Sequence, residues 1–367
     1  KEYKSRIRGG SNSTLIRISD SAVRAFCKKT DILFSLSQGE IHLKRLSDRI
    51  DENTFVFVDS GSSLTSNGLG NVREVPISKL ALKAGNKVYS NSVVLGMLCA
   101  LLKLPVESAL EAIQKWFCNK GTKICDGNKL AVKLGYGHIA ENADFHIVEP
   151  LKIDPHVKDH LLINGAEAVA MGALAGGCNF VSSYPMSPST GVLTNLANYS
   201  KDFDIVVEQA EDEICAMNMA LGAWYAGAKA LVTTSGGGFA LMVEALSLAG
   251  AIESPIVIHL AQRPGPATGL PTRTEQGDLF FALFSGHGEF PRVILTPGNL
   301  EQAFYCTMKA FKIADKYQVP AFVLTDQYLM DTIYNIDKLP EIEPVDDYIV
   351  RTSPEYERYK ITENGVS

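Results

Sequence analysis

Short apolar runs alternate with longer helical stretches through most of the chain, and this rhythm predicts strand, helix, strand. In the first part, residues 15–18, 31–36 and 54–58 read as strands, and 38–46 as a helix. Residues 91–104 have helical spacing, closed by Pro105, and 106–117 open a second helix with Glu107 in its first turn. A polar stretch with Pro150 and Pro155 follows and reads as a linker. The alternation then becomes more regular. Strands are predicted at 179–183, 205–207, 230–233, 256–260, 293–295 and 321–324. Helices are predicted at 165–176, 189–200, 211–226, 239–251 and 300–316. Apolar strands separated by helices predict a mainly parallel sheet covered on both faces. The fold class is therefore α/β, with a first α/β domain at 1–145, a linker at 146–158, a second domain at 159–340, and the start of a further domain at 341–367. The triplet Asp126-Gly127-Asn128 reads as a turn.

Composition narrows the function classes. The 367 residues carry a net charge of −6, with 46% hydrophobic and 21% charged positions, as expected of a globular core rather than a nucleic-acid binder. No apolar run reaches the roughly 18 residues of a membrane helix, and no signal peptide is visible, so a cytoplasmic, reduced protein with no membrane partner is expected. The seven cysteines are scattered and form no CxxC pair, which argues against an iron–sulfur cluster on this chain. No metal site is expected on it. The chain opens at Lys1 and closes at Ser367 without capping signals, as in a fragment or a processed chain with incomplete end domains.

Four segments fall where a strand hands over to a helix or loop, the edge at which parallel α/β sheets bind ligands. Tyr184-Pro185-Met186-Ser187-Pro188-Ser189 is stiffened by its prolines and can hold hydroxyls in place. In Glu208-Gln209-Ala210-Glu211-Asp212-Glu213 the macrodipole of the following helix accounts for Glu211 and Asp212. Glu213 is followed by apolar and small residues, so it is the acid expected to face a packed interface, with its pKa raised by desolvation. Thr234-Ser235-Gly236-Gly237-Gly238-Phe239 could present backbone N–H groups to an anion, or be an ordinary turn. Arg263 heads a loop rich in proline and glycine, Arg263-Pro264-Gly265-Pro266-Ala267-Thr268-Gly269-Leu270-Pro271-Thr272-Arg273-Thr274-Glu275-Gln276-Gly277-Asp278. Its planar fork suits a carboxylate.

Together these four segments resemble the α subunit of 2-oxoacid:ferredoxin oxidoreductases, of the 2-oxoglutarate type in which a γ domain is fused ahead of α. Glu2-Tyr3, Arg6-Ile7-Arg8-Gly9-Gly10-Ser11 and the stretch 91–117 are similar to that γ domain. The resemblance implies a γ-type domain, here incomplete, followed by a thiamine-diphosphate pyrimidine domain. It implies that Glu213 hydrogen-bonds the aminopyrimidine as the catalytic acid, with Tyr184, Pro185, Ser235 and Gly236 beside the cofactor. Ser187, Arg263 and Thr272 are implied to bind the 2-oxo acid. The implied partners are a β subunit, in a hetero-oligomer, and ferredoxin. Mg2+, the diphosphate contacts and a 4Fe-4S cluster are expected on that β subunit, and coenzyme A as co-substrate. Two other readings share some of these motifs: a subunit of a non-redox thiamine-diphosphate decarboxylase, and a catalytically silent interaction subunit.

Overall fold

Parallel strands buried on both faces need helices above and below them, and the second unit of the chain supplies these. A computed structural model describes residues 12–36, 46–61, 70–145, 151, 154–345, 348–350 and 352–366. The chain divides into two units, built mainly on 25–155 and 156–367.

In the first unit, β1 (Ile32–Ser35), β2 (Phe55–Asp59) and β3 (Asn71–Val75) form a parallel sheet in the order β1-β2-β3. The helices are α1 (Ile77–Lys83), α2 (Ser90–Leu101), α3 (Val106–Phe117) and α4 (Thr122–Ala140). Phe57, Ile77, Met97 and Ile139 are fully buried between sheet and helices. The triplet Asp126-Gly127-Asn128 is not a turn; it lies inside α4. Glycine serves there as a contact point rather than a break. Gly127 lies against the Tyr89 ring, and Asn128 Oδ1 accepts a hydrogen bond from Ser92 Oγ at 2.6 Å. A Cβ on Gly96 would run into the carbonyl of Val132, and one on Gly135 into that of Val93, so α2 and α4 cross backbone to backbone.

Other expectations in this unit need correction. Residues 15–18 form no strand: Ile16 and Ile18 are exposed and no neighbouring strand takes them up. The helix expected at 38–46 lies almost wholly outside the described residues. The cysteines are not all free thiols, because Cys118 and Cys125 form a disulfide across the turn at Gly121, with Cα atoms 4.6 Å apart. Gly121 has a φ of 111°, which lets the chain reverse tightly enough to bring them together.

The second unit is a doubly wound sheet. Its elements run β4 (Leu161–Asn164), α5 (Gly165–Ala175), β5 (Phe180–Ser183), α6 (Thr190–Tyr199), β6 (Val206–Gln209) and α7 (Glu213–Tyr225). Then come β7 (Ala230–Thr234), α8 (Gly236–Ala251), β8 (Ile256–Gln262), α9 (Leu279–Phe284) and β9 (Val293–Leu295). The last elements are α10 (Leu300–Tyr317), β10 (Pro320–Asp326), α11 (Gln327–Asp331) and β11 (Ile333–Ile336). Six strands are parallel in the order β6-β5-β7-β8-β10-β9, and β4 pairs antiparallel with β11 apart from them. Every residue of β7 and β8 is buried, as central strands require. Asn164 opens α5 with a reciprocal capping box to Glu167, which is why that small-residue helix starts where it does.

After β5 the chain turns to β6 on one side, and after β7 to β8 on the other. The carboxyl ends of β5 and β7 therefore bound the topological switch point, where open α/β sheets form a crevice. All four sequence segments singled out above leave the sheet at that edge.

Candidate active site

Glu213 is the first residue of α7, only 3% exposed, and its Oε1 has no hydrogen-bond partner. Two neighbours place it. Asp212 is the N-cap, its Oδ1 accepting from Cys215 N at 2.7 Å. Ser182 on β5 donates to Ala216 O at 2.6 Å, tying α7 to the sheet. Glu208 and Glu211 are exposed. Burial raises the Glu213 pKa; its own backbone N–H opposes this, the charge of Asp212 adds to it, and the charge of Arg263 opposes it. A buried, orphaned carboxyl oxygen is costly unless a ligand pairs with it.

The packing around Glu213 depends on the glycine triplet. These glycines are not a turn ahead of the helix: Gly236, Gly237 and Gly238 form the first turn of α8. A Cβ on Gly238 would lie 2.6 Å from Glu213 Oε1 and collide with Thr234 Oγ1. A Cβ on Gly236 would lie 2.6 Å from both carboxyl oxygens of Asp278. Ser235, the fully buried N-cap position, offers an Oγ with no hydrogen-bond partner. The helix start therefore presents its backbone between two carboxylates.

Arg263 follows β8 directly and is 8% exposed. Its Nη1 donates to Ser187 O at 2.6 Å and its Nη2 to Thr268 O at 2.9 Å. Burial lowers its pKa, and the charges of Glu213 and Asp278 counter that. The structure thus brings Arg263, Glu213 and the Ser187 turn together. Ser187 is exposed, Tyr184 is 39% exposed and Pro185 is half-buried at the exit of β5. Thr272 is half-buried on the Arg263 loop, which folds back through Leu270 N to Pro264 O at 3.0 Å.

Sequence reasoning assigned no role to two residues here. Gln262 is a polar end to an apolar strand, and Asp278 closes the Arg263 loop. Gln262 Nε2 donates to Thr325 O at 3.1 Å, and its Oε1 accepts from Asp278 N at 3.0 Å. The signal for both was a polar side chain at the end of an apolar run. Among the described residues no group of three or more His, Cys, Asp or Glu could hold a metal ion.

A doubly wound domain with a buried carboxyl and an arginine at its switch point defines a class of cofactor-binding α/β proteins. Two family profiles match the chain. One, described as pyruvate flavodoxin/ferredoxin oxidoreductase, thiamine diphosphate-binding, covers residues 171–365; the other, pyruvate ferredoxin/flavodoxin oxidoreductase, covers 1–138. The chain belongs to the 2-oxoacid:ferredoxin oxidoreductase family, within which several curated relatives are named α subunits. It is 32% identical to a 2-oxoacid:ferredoxin oxidoreductase subunit alpha from Sulfolobus sp., over 100% of this chain and 66% of that one. It is 40% identical to a 2-oxoglutarate synthase subunit from Archaeoglobus fulgidus, over 51% of this chain and 54% of the relative. Among solved structures it resembles a 2-oxoglutarate:ferredoxin oxidoreductase from Magnetococcus marinus with 2-oxoglutarate, coenzyme A and succinyl-CoA bound. That match has a TM-score of 0.82 at 30% identity, over 95% of this chain and 62% of that one. The chain thus spans less than two thirds of the length of these relatives.

Proposed function

We propose that this chain contributes the pyrimidine side of a thiamine-diphosphate site in an enzyme that oxidatively decarboxylates a 2-oxo acid, with 2-oxoglutarate the substrate best supported. The carrying observation is the buried Glu213 carboxyl, whose orphaned Oε1 lies against Gly238, where only a glycine leaves it room. These residues fit the cofactor: an unpaired buried carboxyl suits a heterocycle nitrogen, and a raised pKa suits proton sharing with it. When bound, thiamine diphosphate supplies the electron sink for decarboxylation. Glu213 would hold a proton at Oε1 against the aminopyrimidine, flanked by Ser235 and Gly236, with Tyr184 and Pro185 closing the site. Arg263 would exchange a backbone carbonyl for the substrate carboxylate, using the fork now engaged by Ser187 O and Thr268 O. Ser187 would offer its exposed hydroxyl to the substrate, and Thr272 would meet the far end of a dicarboxylate.

The complete reaction needs a β subunit carrying Mg2+, the diphosphate contacts and a 4Fe-4S cluster. Ferredoxin would accept the electrons and coenzyme A the acyl group. The names of the 2-oxoglutarate relatives support the substrate. Co-expression with the partner subunit, followed by ferredoxin reduction with 2-oxoglutarate, pyruvate and a branched 2-oxo acid, tests this. Turnover with 2-oxoglutarate above the others is expected. Carbon dioxide release with no acceptor reduced and no acyl-CoA formed would replace it with the decarboxylase reading.

A further inference from the structure

The loop between β8 and α9 carries Arg263 at its start and Thr272 farther along, and the two are fastened differently. The first half closes on itself. Leu270 N donates to Pro264 O at 3.0 Å, and Arg263 Nη2 donates to Thr268 O at 2.9 Å. Gly269 permits that closure, with a φ of 61° at a position where a Cβ would strike Pro264 O. Thr272 lies beyond it, in a turn closed by Arg273 N to Leu270 O at 3.0 Å. From 273 to 277 the loop runs exposed. There a side-chain bond reaches back to the sheet: Gln276 Nε2 donates to Asp326 Oδ2 at 2.5 Å. Asp326 is itself held rigidly. It ends β10 and caps α11, its Oδ1 accepting from Leu329 N at 2.8 Å, which leaves Oδ2 for the loop.

We propose that Gln276, pinned to Asp326, is the positioning residue of Thr272, and so helps select dicarboxylic over monocarboxylic 2-oxo acids. The proposal rests on the reading in which Arg263 takes the carboxylate beside the oxo group and Thr272 meets the far end. The Pro264–Leu270 closure fixes the turn of Thr272 from one side, and the Gln276–Asp326 bond, spanning 50 positions of chain, fixes it from the other. An exposed segment has no core to order it and follows the contacts that tie it down. Arg263 keeps its own bonds to Ser187 O and Thr268 O when the pin is lost, and the loop base stays tied by Asp278 N to Gln262 Oε1 at 3.0 Å. Loss of the pin therefore loosens the part of the loop that carries Thr272 and spares the part that carries Arg263.

The test uses Gln276→Ala, and Gln276→Glu with and without Asp326→Asn, in the full chain assembled with its partner subunit. Gln276→Ala removes the bond, Gln276→Glu sets two carboxylates against each other, and the double variant rebuilds the bond with donor and acceptor exchanged. In both single variants the KM for 2-oxoglutarate should rise about threefold to tenfold, the range one hydrogen bond can carry, with kcat little changed. The KM for pyruvate should stay at the wild-type value, and the double variant should recover the KM for 2-oxoglutarate. An unchanged KM for 2-oxoglutarate, an equal rise for both substrates, or no recovery in the double variant overturns the proposal. Hydrogen exchange of the segment 271–277 gives a readout independent of turnover: it should quicken in both single variants and return in the double one. If the wild-type complex does not favour 2-oxoglutarate, the substrate reading fails by that result, and exchange alone decides the pin: faster exchange sustains it, and unchanged exchange overturns it.

Discussion

At the scale of single residues, Glu213 and Gly238 form one unit. Replacing Glu213 by Gln keeps the shape and removes the titrating group. Turnover of the assembled enzyme should fall by roughly 10²–10⁴-fold, measured as ferredoxin reduction. Gly238→Ala tests the same carboxyl from the other side. Its methyl would press on Glu213 Oε1 from 2.6 Å and collide with Thr234 Oγ1. Overpacking of that kind costs about 1–3 kcal/mol, and Glu213 is one of the two side chains in its way. The variant should fold with a lowered thermal midpoint and lose activity; full wild-type turnover would separate the glycine from the carboxyl.

At the scale of elements, the central strands carry a buried hydrogen-bonded line. His259 on β8 lies between Thr233 Oγ1 on β7, at 2.7 Å from Nδ1, and Thr325 Oγ1 on β10, at 2.9 Å from Nε2. A neutral ring donates through one nitrogen and accepts through the other, and the two hydroxyls adapt. Burial pushes its pKa down to about 3. An unfolded histidine titrates near 6.5. Between these values the unfolded chain binds a proton that the folded chain refuses. Stability is therefore full above pH 6.5 and falls as pH drops toward 3, by up to about 1.4 kcal/mol per pH unit from this group. Urea titrations at stepped pH should show a shallower fall for His259→Gln than for wild type. Lys229, just ahead of β7, pairs with Asp315 on α10 at 2.7 Å, and both are nearly buried. Lys229→Met should cost about 3–5 kcal/mol by stranding the carboxylate, read as a lower urea midpoint.

At the scale of the whole molecule, the proposed function makes the second unit one wall of a site shared with another subunit. No helix among the described residues is long and apolar enough to cross a membrane. The chain expressed alone should show no 2-oxo acid oxidation. Mixing with the partner subunit should restore it, since no residue assigned here holds the diphosphate. Activity of the isolated chain under the same assay would contradict a shared site.

The linear chain itself determined the alternation of strands and helices in the second unit, because apolar periodicity follows directly from which face is buried. It also marked Glu213 and Arg263, whose chemistry stands out against apolar and proline-rich surroundings. Three other features were invisible to periodicity. The glycine triplet opens α8, and glycine is required there because two carboxylates lie against its backbone. The triplet at Asp126 is helical, with Gly127 against the Tyr89 ring and Asn128 bonded to Ser92. Gln262 and Asp278 acquire their roles only when β8, β10 and the loop end meet. Such contacts join positions far apart in the chain, and only the closed fold sets the distances between them.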